Sequence, residues 1–141
     1  MTEAEHQILV MCWAKKISLA GRAELDLLFH VPNGGNRSGR EGAMFKAMGV
    51  KAGVPDLCLP VPRGDFNNLW IEMKVDEDGA SGKRGSTSEA QEKWHSSLEQ
   101  HGGYVVVAFG WKNAVAAICG YLGGEWPEVD METMEGRLSH G

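Results

Sequence analysis

Residues 53–75, GVPDLCLPVPRGDFNNLWIEMKV, contain the strongest strand signals of the chain. The apolar run from Leu57 to Leu59 predicts a strand, which the prolines at positions 60 and 62 close. Residues 69–75 form the clearest strand of the chain, because Leu69, Ile71 and Met73 alternate with more polar residues. The polar residues between the two runs have the length of a hairpin connection. We therefore expect two neighbouring strands that pair with each other.

Three charged residues stand out against this apolar background. Asp56 precedes the first strand, and Glu72 and Lys74 share one face of the second, since residues two apart on a strand point the same way. Strand pairing would bring the two carboxylates to one end of the sheet, where they would suit Mg²⁺ or Mn²⁺. Such an ion polarises a phosphoryl oxygen, and a nearby ammonium stabilises the charge that develops there. The alternative is an ion pair of Glu72 and Lys74 on a half-exposed sheet, and Trp70 on the same face argues against open solvent.

Helix and strand signals on either side of residues 53–75 complete the fold prediction. Periodicity and capping signals predict helices over residues 2–20, 43–48, 88–101 and 113–122, and apolar runs predict strands over 27–31 and 104–109. Thr2 can cap the first helix, and Ser88 with Gln91 resembles a capping box. The order α-β-α-β-β-α-β-α predicts an α/β fold with helices around a small mixed sheet.

Length and charge set further limits. A chain of 141 residues is long enough for one domain, which we place at residues 1–122. Residues 123–141 carry a net charge of −4 out of −5 for the chain, and their weak pattern predicts a loosely ordered acidic tail. Residues 37–51 carry +3, so the overall charge does not exclude a nucleic-acid partner. An acidic N-terminus, the absence of a long apolar run and three widely spaced cysteines favour a cytoplasmic protein.

Four motifs lie in order along residues 3–122. They are PNGGNR at 32–37, KAMGVKAGVPD at 46–56, IEMK at 71–74 and SEAQ at 88–91. Together they resemble the VRR-NUC family, the virus-type replication-repair nucleases of the PD-(D/E)xK superfamily. The resemblance is closest to the stand-alone type of phages and bacteria.

The resemblance implies a restriction-endonuclease-like core and a metal-dependent endodeoxyribonuclease that uses Mg²⁺ or Mn²⁺. Carried over residue by residue, its catalytic set is Glu3, Asp56, Glu72, Lys74 and Gln91. Of these, Asp56, Glu72 and Glu3 would be the metal ligands. Glu5 competes with Glu3 for the place of the acid on the first helix. His95, one turn after Gln91, would either line this site or lie elsewhere on the helix surface or in the core.

The resemblance also suggests partners. Stand-alone members are associated with homodimers and with branched DNA such as four-way (Holliday) junctions, as in DNA repair. Larger relatives cut flaps or belong to restriction systems, and a non-catalytic DNA-binding module is a further alternative. The residues that we expect to contact DNA are polar or basic and lie near the site in sequence: Asn33, Arg37, Arg40, Lys46, Lys51, Lys83 and Arg84. A solvated basic surface is the plainer interpretation of the same residues.

Overall fold

A computed structural model describes residues 1–32, 39–75 and 86–140 of the chain, without the side chain of residue 140. Its centre is a four-stranded sheet in the order β1-β2-β3-β4. The strands are β1 (Phe29–His30), β2 (Leu57–Leu59), β3 (Asn68–Lys74) and β4 (Gly103–Phe109). The pairs β1–β2 and β2–β3 are antiparallel, whereas β3 and β4 are parallel. The predicted hairpin of residues 53–75 is therefore confirmed as the middle of a mixed sheet.

Helices flank this sheet, which confirms the predicted α/β class. They are α1 (Glu3–Leu19), α2 (Gly39–Met48), α3 (Glu89–Gln100), α4 (Trp111–Leu122) and α5 (Glu132–His140). Leu69, Ile71 and Met73 of β3 are fully buried and share one hydrophobic core with residues of α1 and α4. Helix α3 packs on β4, and its His95 contacts Glu72, which alternates with Ile71 and Met73 along β3. In the described parts of the chain, every helix is too short or too polar to cross a membrane.

Capping fixes where two of these helices begin. Thr2 Oγ1 accepts the Glu5 N–H at 3.1 Å, and the Glu5 carboxylate accepts the Thr2 N–H at 2.7 Å. Ser88 and Gln91 exchange the equivalent pair of bonds at the start of α3. These reciprocal bonds satisfy amides that a helix N-terminus otherwise leaves without a partner. Both capping predictions are confirmed.

The strand predicted over residues 27–31 is shorter in the structure. Residues 23–27 form a 3₁₀ helix, and only Phe29 and His30 pair with β2. Leu25 and Leu28 are buried and stand three residues apart, which is the repeat of a 3₁₀ helix rather than of a strand. The two paired residues, Phe29 and His30, are exposed, so the buried leucines belong to the 3₁₀ helix and its end rather than to the strand.

The acidic tail, expected to be loosely ordered, instead contains α5 and packs on the domain. Met131 is buried, and Trp126 stacks on Trp13 with 5.7 Å between the ring centroids. The guanidinium of Arg22 lies 3.8 Å from the centre of the Trp126 ring, and Lys16 Nζ donates to the Asp130 carbonyl at 2.8 Å. These contacts reach residues more than 100 positions away, so the local sequence of the tail gives little sign of them.

Candidate active site

Strand register brings Asp56 and Glu72 together. Because Leu57 pairs with Ile71 in the antiparallel ladder, Asp56 lies one position before β2 and opposite Glu72. Asp56 Oδ2 accepts the N–H of Met73 at 2.7 Å, and its carboxyl group lies close enough to that of Glu72 to raise the pKa of Glu72. The two acids that the sequence placed at one end of the sheet thus lie side by side.

The Glu72 side chain is the unusual member of this pair, because only 2% of its surface is exposed. Burial, followed by the hydrogen bond and the charge of Asp56, raises its pKa from 4.5 to about 9. His95 Nε2 lies 3.1 Å from Glu72 Oε1, and burial lowers the pKa of His95. A neutral imidazole therefore meets a neutral carboxyl group in the metal-free protein at pH 7.

Glu3 and Lys74 complete the charged cluster. Partial burial and the charge of Asp56 raise the pKa of Glu3, while the Lys74 ammonium lowers it. Lys74 also lowers the pKa of Glu72, whereas Glu3 raises it. Glu5, by contrast, is engaged in the cap of α1 through the bond to Thr2. Of the two competing helix acids, Glu3 is the one whose charge acts on the Asp56–Glu72 pair.

The backbone of Asp56 is held by the first strand. Its carbonyl oxygen accepts the Val31 N–H at 2.8 Å and lies 2.8 Å from His30 Nδ1. Since a carbonyl can only accept, His30 carries its proton on Nδ1 in this contact. Together with the Met73 bond to its side chain, these contacts fix Asp56 at both ends.

Helix α3 approaches the site through a close backbone contact. Gly53 has φ of +95°, and a Cβ there would lie 2.6 Å from the Ala90 carbonyl oxygen and 3.0 Å from the Trp94 ring. Glycine thus allows the loop before Asp56 to rest directly on the first turn of α3. Gln91 lies in this turn, with its side-chain oxygen in the capping box and one turn before His95. The helical spacing of Gln91 and His95 was the only sequence signal for the Glu72–His95 contact.

The expected DNA-contacting residues are divided by the structure. Arg40 and Lys46 lie on α2 and Lys51 follows that helix, and all three are exposed. Asn33, Arg37, Lys83 and Arg84 lie outside the described residues. The three expected DNA-contacting residues that the structure describes thus occupy one segment, which leads into the loop before Asp56.

The donor set suits a hard divalent cation. In residues 1–32, 39–75 and 86–140, no group of three His, Cys, Asp or Glu side chains is arranged to hold a metal ion. Mg²⁺ characteristically takes one or two carboxylates and keeps several waters, so it does not require an all-protein cage. Asp56 and Glu72 meet that requirement, since a cation can replace the proton that the raised pKa of Glu72 keeps on this pair in the metal-free protein.

A mixed sheet whose central strands bring together an Asp, a Glu and a Lys defines the PD-(D/E)xK class of nucleases. The VRR-NUC domain matches residues 3–111. A solved structure described as a VRR_NUC domain protein is similar to this chain, with a TM-score of 0.69 and 36% identity, over 86% of this chain and 88% of that one. No curated protein matches. The chain belongs to the VRR-NUC family, and its fold is that of a nuclease domain.

Proposed function

We propose that this protein is a metal-dependent, structure-specific endonuclease that hydrolyses phosphodiester bonds in branched DNA. The observation that carries the proposal is the contact of Asp56 with the buried Glu72, at the strand end that also bears Lys74. A soluble fold gains nothing from burying an acid pair that must hold a proton to be stable. Within a nuclease family, such a pair is best explained as the ligand set of a cation.

Each residue then has a defined task. Asp56 and Glu72 would hold Mg²⁺ or Mn²⁺, with Glu3 close enough to add charge. A cation bound there supplies Lewis acidity toward the scissile phosphate and lowers the pKa of the attacking water. Lys74 shares the face of Glu72 and acts on developing negative charge. Gln91, in the first turn of α3, would orient water or phosphate with its side-chain amide.

His95 acts on the site through Glu72 rather than on the substrate. Once a bound cation ionises Glu72, its carboxylate can only accept, so the neutral imidazole would donate Nε2–H to Oε1 and the other carboxylate oxygen would be available to the cation. Hydrogen bonds from such supporting residues orient carboxylate ligands and raise metal affinity. His95 is therefore a positioning residue.

The preference for branched DNA and a homodimeric state rest on the resemblance to stand-alone VRR-NUC proteins. Two active sites related by a two-fold axis suit paired incisions across a four-way junction. We place the activity in the cytoplasm of a bacterial cell or phage-infected host, where such DNA arises during replication and repair. A flap- or restriction-type nuclease is the alternative substrate class within the same chemistry.

A substrate panel tests the proposal. Four-way junctions, flaps and linear duplexes are incubated with Mg²⁺, Mn²⁺ or chelator. We expect cleavage of the junction with either metal and none with chelator. Asp56→Asn, Glu72→Gln and Lys74→Ala should each reduce the rate at least about 100-fold, as loss of a positioned charge at a catalytic centre does.

Asp65→Asn provides the matched control, because Asp65 is exposed in the turn before β3, at the opposite end of the hairpin. It should cut like the parent. Equal cleavage by the parent and the three site variants would overturn the proposed mechanism. Light scattering under cleaving conditions tests the dimer separately, and a strict monomer would contradict paired cutting.

A further inference from the structure

Helix α2 (Gly39–Met48) contributes no buried residue to the hydrophobic core. Within α2, all of whose residues the structure describes, no side chain is buried. Met44 and Met48 are 58% and 72% exposed. An isolated helix of ten residues is marginal in water, and most helical stability in proteins comes from packing of an apolar face. Helix α2 thus turns Gly42 and Phe45 partly toward the domain and leaves Met44 and Met48 on a face that is open to a partner.

The two methionines lie on one side of this helix. Residues four apart are neighbours on a helix surface, so Arg40, Met44 and Met48 form a continuous stripe. Its two apolar members are long, unbranched and polarisable, which allows them to adapt to irregular surfaces. The stripe therefore begins with a basic residue, Arg40, and continues with the two apolar residues, Met44 and Met48.

Charge identifies the partner. Residues 39–51 contain Arg40, Lys46 and Lys51 against the single acid Glu41, which gives +2 in a chain whose total is −5. The segment runs into the loop of Gly53, which packs on the first turn of α3 beside the site. A basic surface that continues into a nuclease site is complementary to the DNA backbone. A second copy of this chain, with a net charge of −5 over 141 residues, offers a much lower density of negative charge than the DNA backbone does.

We propose that α2 is the element with which this protein recognises a branch in DNA. This inference rests on the proposed function. Arg40, Lys46 and Lys51 contact backbone phosphates, and the stripe of Met44 and Met48 packs on bases that are unstacked at the branch. Apolar side chains are the type that proteins insert between base steps, and the unstacking that such insertion requires costs less where the continuous stack is interrupted by a strand exchange. A linear duplex has no such interruption.

Two variants separate the two contributions. Met44→Ala/Met48→Ala removes the apolar stripe and keeps the charge, and Arg40→Ala/Lys46→Ala does the reverse. Binding to a four-way junction and to a linear duplex of equal length is measured over a salt series, with Ca²⁺ in place of Mg²⁺ to suppress cleavage. The controls are Leu19→Ala, which removes an apolar side chain that is 77% exposed on α1, and Lys15→Ala, which removes an exposed charge from the same helix.

The expected results differ in kind. The methionine variant should lose about tenfold in affinity for the junction and little for the duplex, which is the usual size of a base-stacking contribution. The arginine–lysine variant should weaken binding to both DNAs and reduce the slope of log K against log salt by about 2. Amide exchange of residues 39–48 should slow when the junction is added.

Three outcomes would overturn the inference. Unchanged junction selectivity in the methionine variant would exclude a role for the stripe in branch recognition. Equal losses in the control variants would show a general effect of surface charge or hydrophobicity. Dissociation of a parent dimer by the methionine changes would mean that a second copy covers α2. If the parent neither binds nor cuts any DNA, the proposed function itself fails, and the two failures are thereby distinguished.

Discussion

Gly53→Ala tests whether the close approach of α3 to the Asp56 loop holds the site together. The added Cβ would lie 2.6 Å from the carbonyl oxygen of Ala90 and 2.7 Å from its carbonyl carbon. Both are backbone atoms of α3, so the contact cannot be relieved by a change of rotamer. The loop or the helix must move by several tenths of an ångström, and Gln91 follows Ala90 directly.

The magnitude has two parts. A non-glycine residue at a positive φ such as +95° costs about 1–2 kcal/mol in backbone strain. Overpacking against fixed neighbours adds roughly 1–3 kcal/mol. We therefore expect Gly53→Ala to lose about 2–5 kcal/mol of unfolding free energy, a large fraction of the stability of a domain of this size.

Gly49→Ala separates these parts. Gly49 has φ of +107°, and a Cβ there would meet nothing within 4 Å. It therefore carries the backbone strain without the overpacking. Unfolding in urea with chelator, followed by far-ultraviolet circular dichroism at 25 °C, gives the free energy of both variants.

Cleavage of a four-way junction at 20 °C, where both variants are folded, gives the functional readout. Gly53→Ala should be the less stable variant by at least about 1 kcal/mol and should lose cleavage beyond what Gly49→Ala loses. Equal stability and equal cleavage would refute the claim that packing of Gly53 on α3 positions the site.

Further predictions concern the charged cluster. Glu3→Ala should lower cleavage with little change in stability, whereas Glu5→Ala, which unlike Gln cannot complete the capping box, should lose about 0.5–1 kcal/mol from the α1 cap and keep cleavage; the reverse pattern would exchange their roles. His95→Phe should weaken Mg²⁺ binding about 10- to 100-fold, measured as loss of metal-induced thermal stabilisation, and His95→Gln should restore part of it; equal metal stabilisation in all three proteins would exclude positioning by the hydrogen bond. In chelator at pH 7, the free energy of unfolding of Glu72→Gln should exceed that of the parent by about 1–3 kcal/mol. The pKa of Glu72 is raised from 4.5 to about 9 in the folded protein, so Glu72 stabilises the parent fully only below pH 4.5. That stabilisation is lost as the pH rises toward 9, whereas Gln does not titrate. The difference should disappear near pH 4, and a constant difference from pH 4 to 8 would contradict protonation of Glu72.

The sequence predicts those parts of the fold that depend on residues close together in the chain. The alternation in residues 69–75 gives β3, and the paired signals at Ser88 and Gln91 give the start of α3. Helix α5 is different, because its place depends on the stacking of Trp126 on Trp13, and nothing near residue 126 encodes that distant partner. Local pattern predicts an element, whereas burial of an amphipathic tail depends on the surface that the rest of the chain provides.

The site shows the same division. Strand register places Asp56 opposite Glu72, and this could be inferred from the hairpin-like spacing of the two residues. The bond to His95 could not, because it depends on how deeply α3 sits against β4 and the face of β3. Helical spacing from Gln91 showed only that His95 was a candidate. The sequence could not separate Glu3 from Glu5 either, since both acids stand in the first turn of α1; that the Glu5 side chain bonds Thr2 is visible only in the structure.

The buried acid pair explains why the site is supported from so many directions. Two carboxyl groups in contact destabilise the metal-free fold unless a proton or a cation lies between them. Asp56 is therefore held through its side chain by Met73 and through its backbone by β1, while Glu72 is held by His95. These bonds keep the two carboxyl groups convergent without a cation, so the cation binding that we propose would fill the site without having to order it. On this argument, weakening any one support lowers metal affinity before it unfolds the domain, and removing the Glu72 charge strengthens the fold while it ends catalysis.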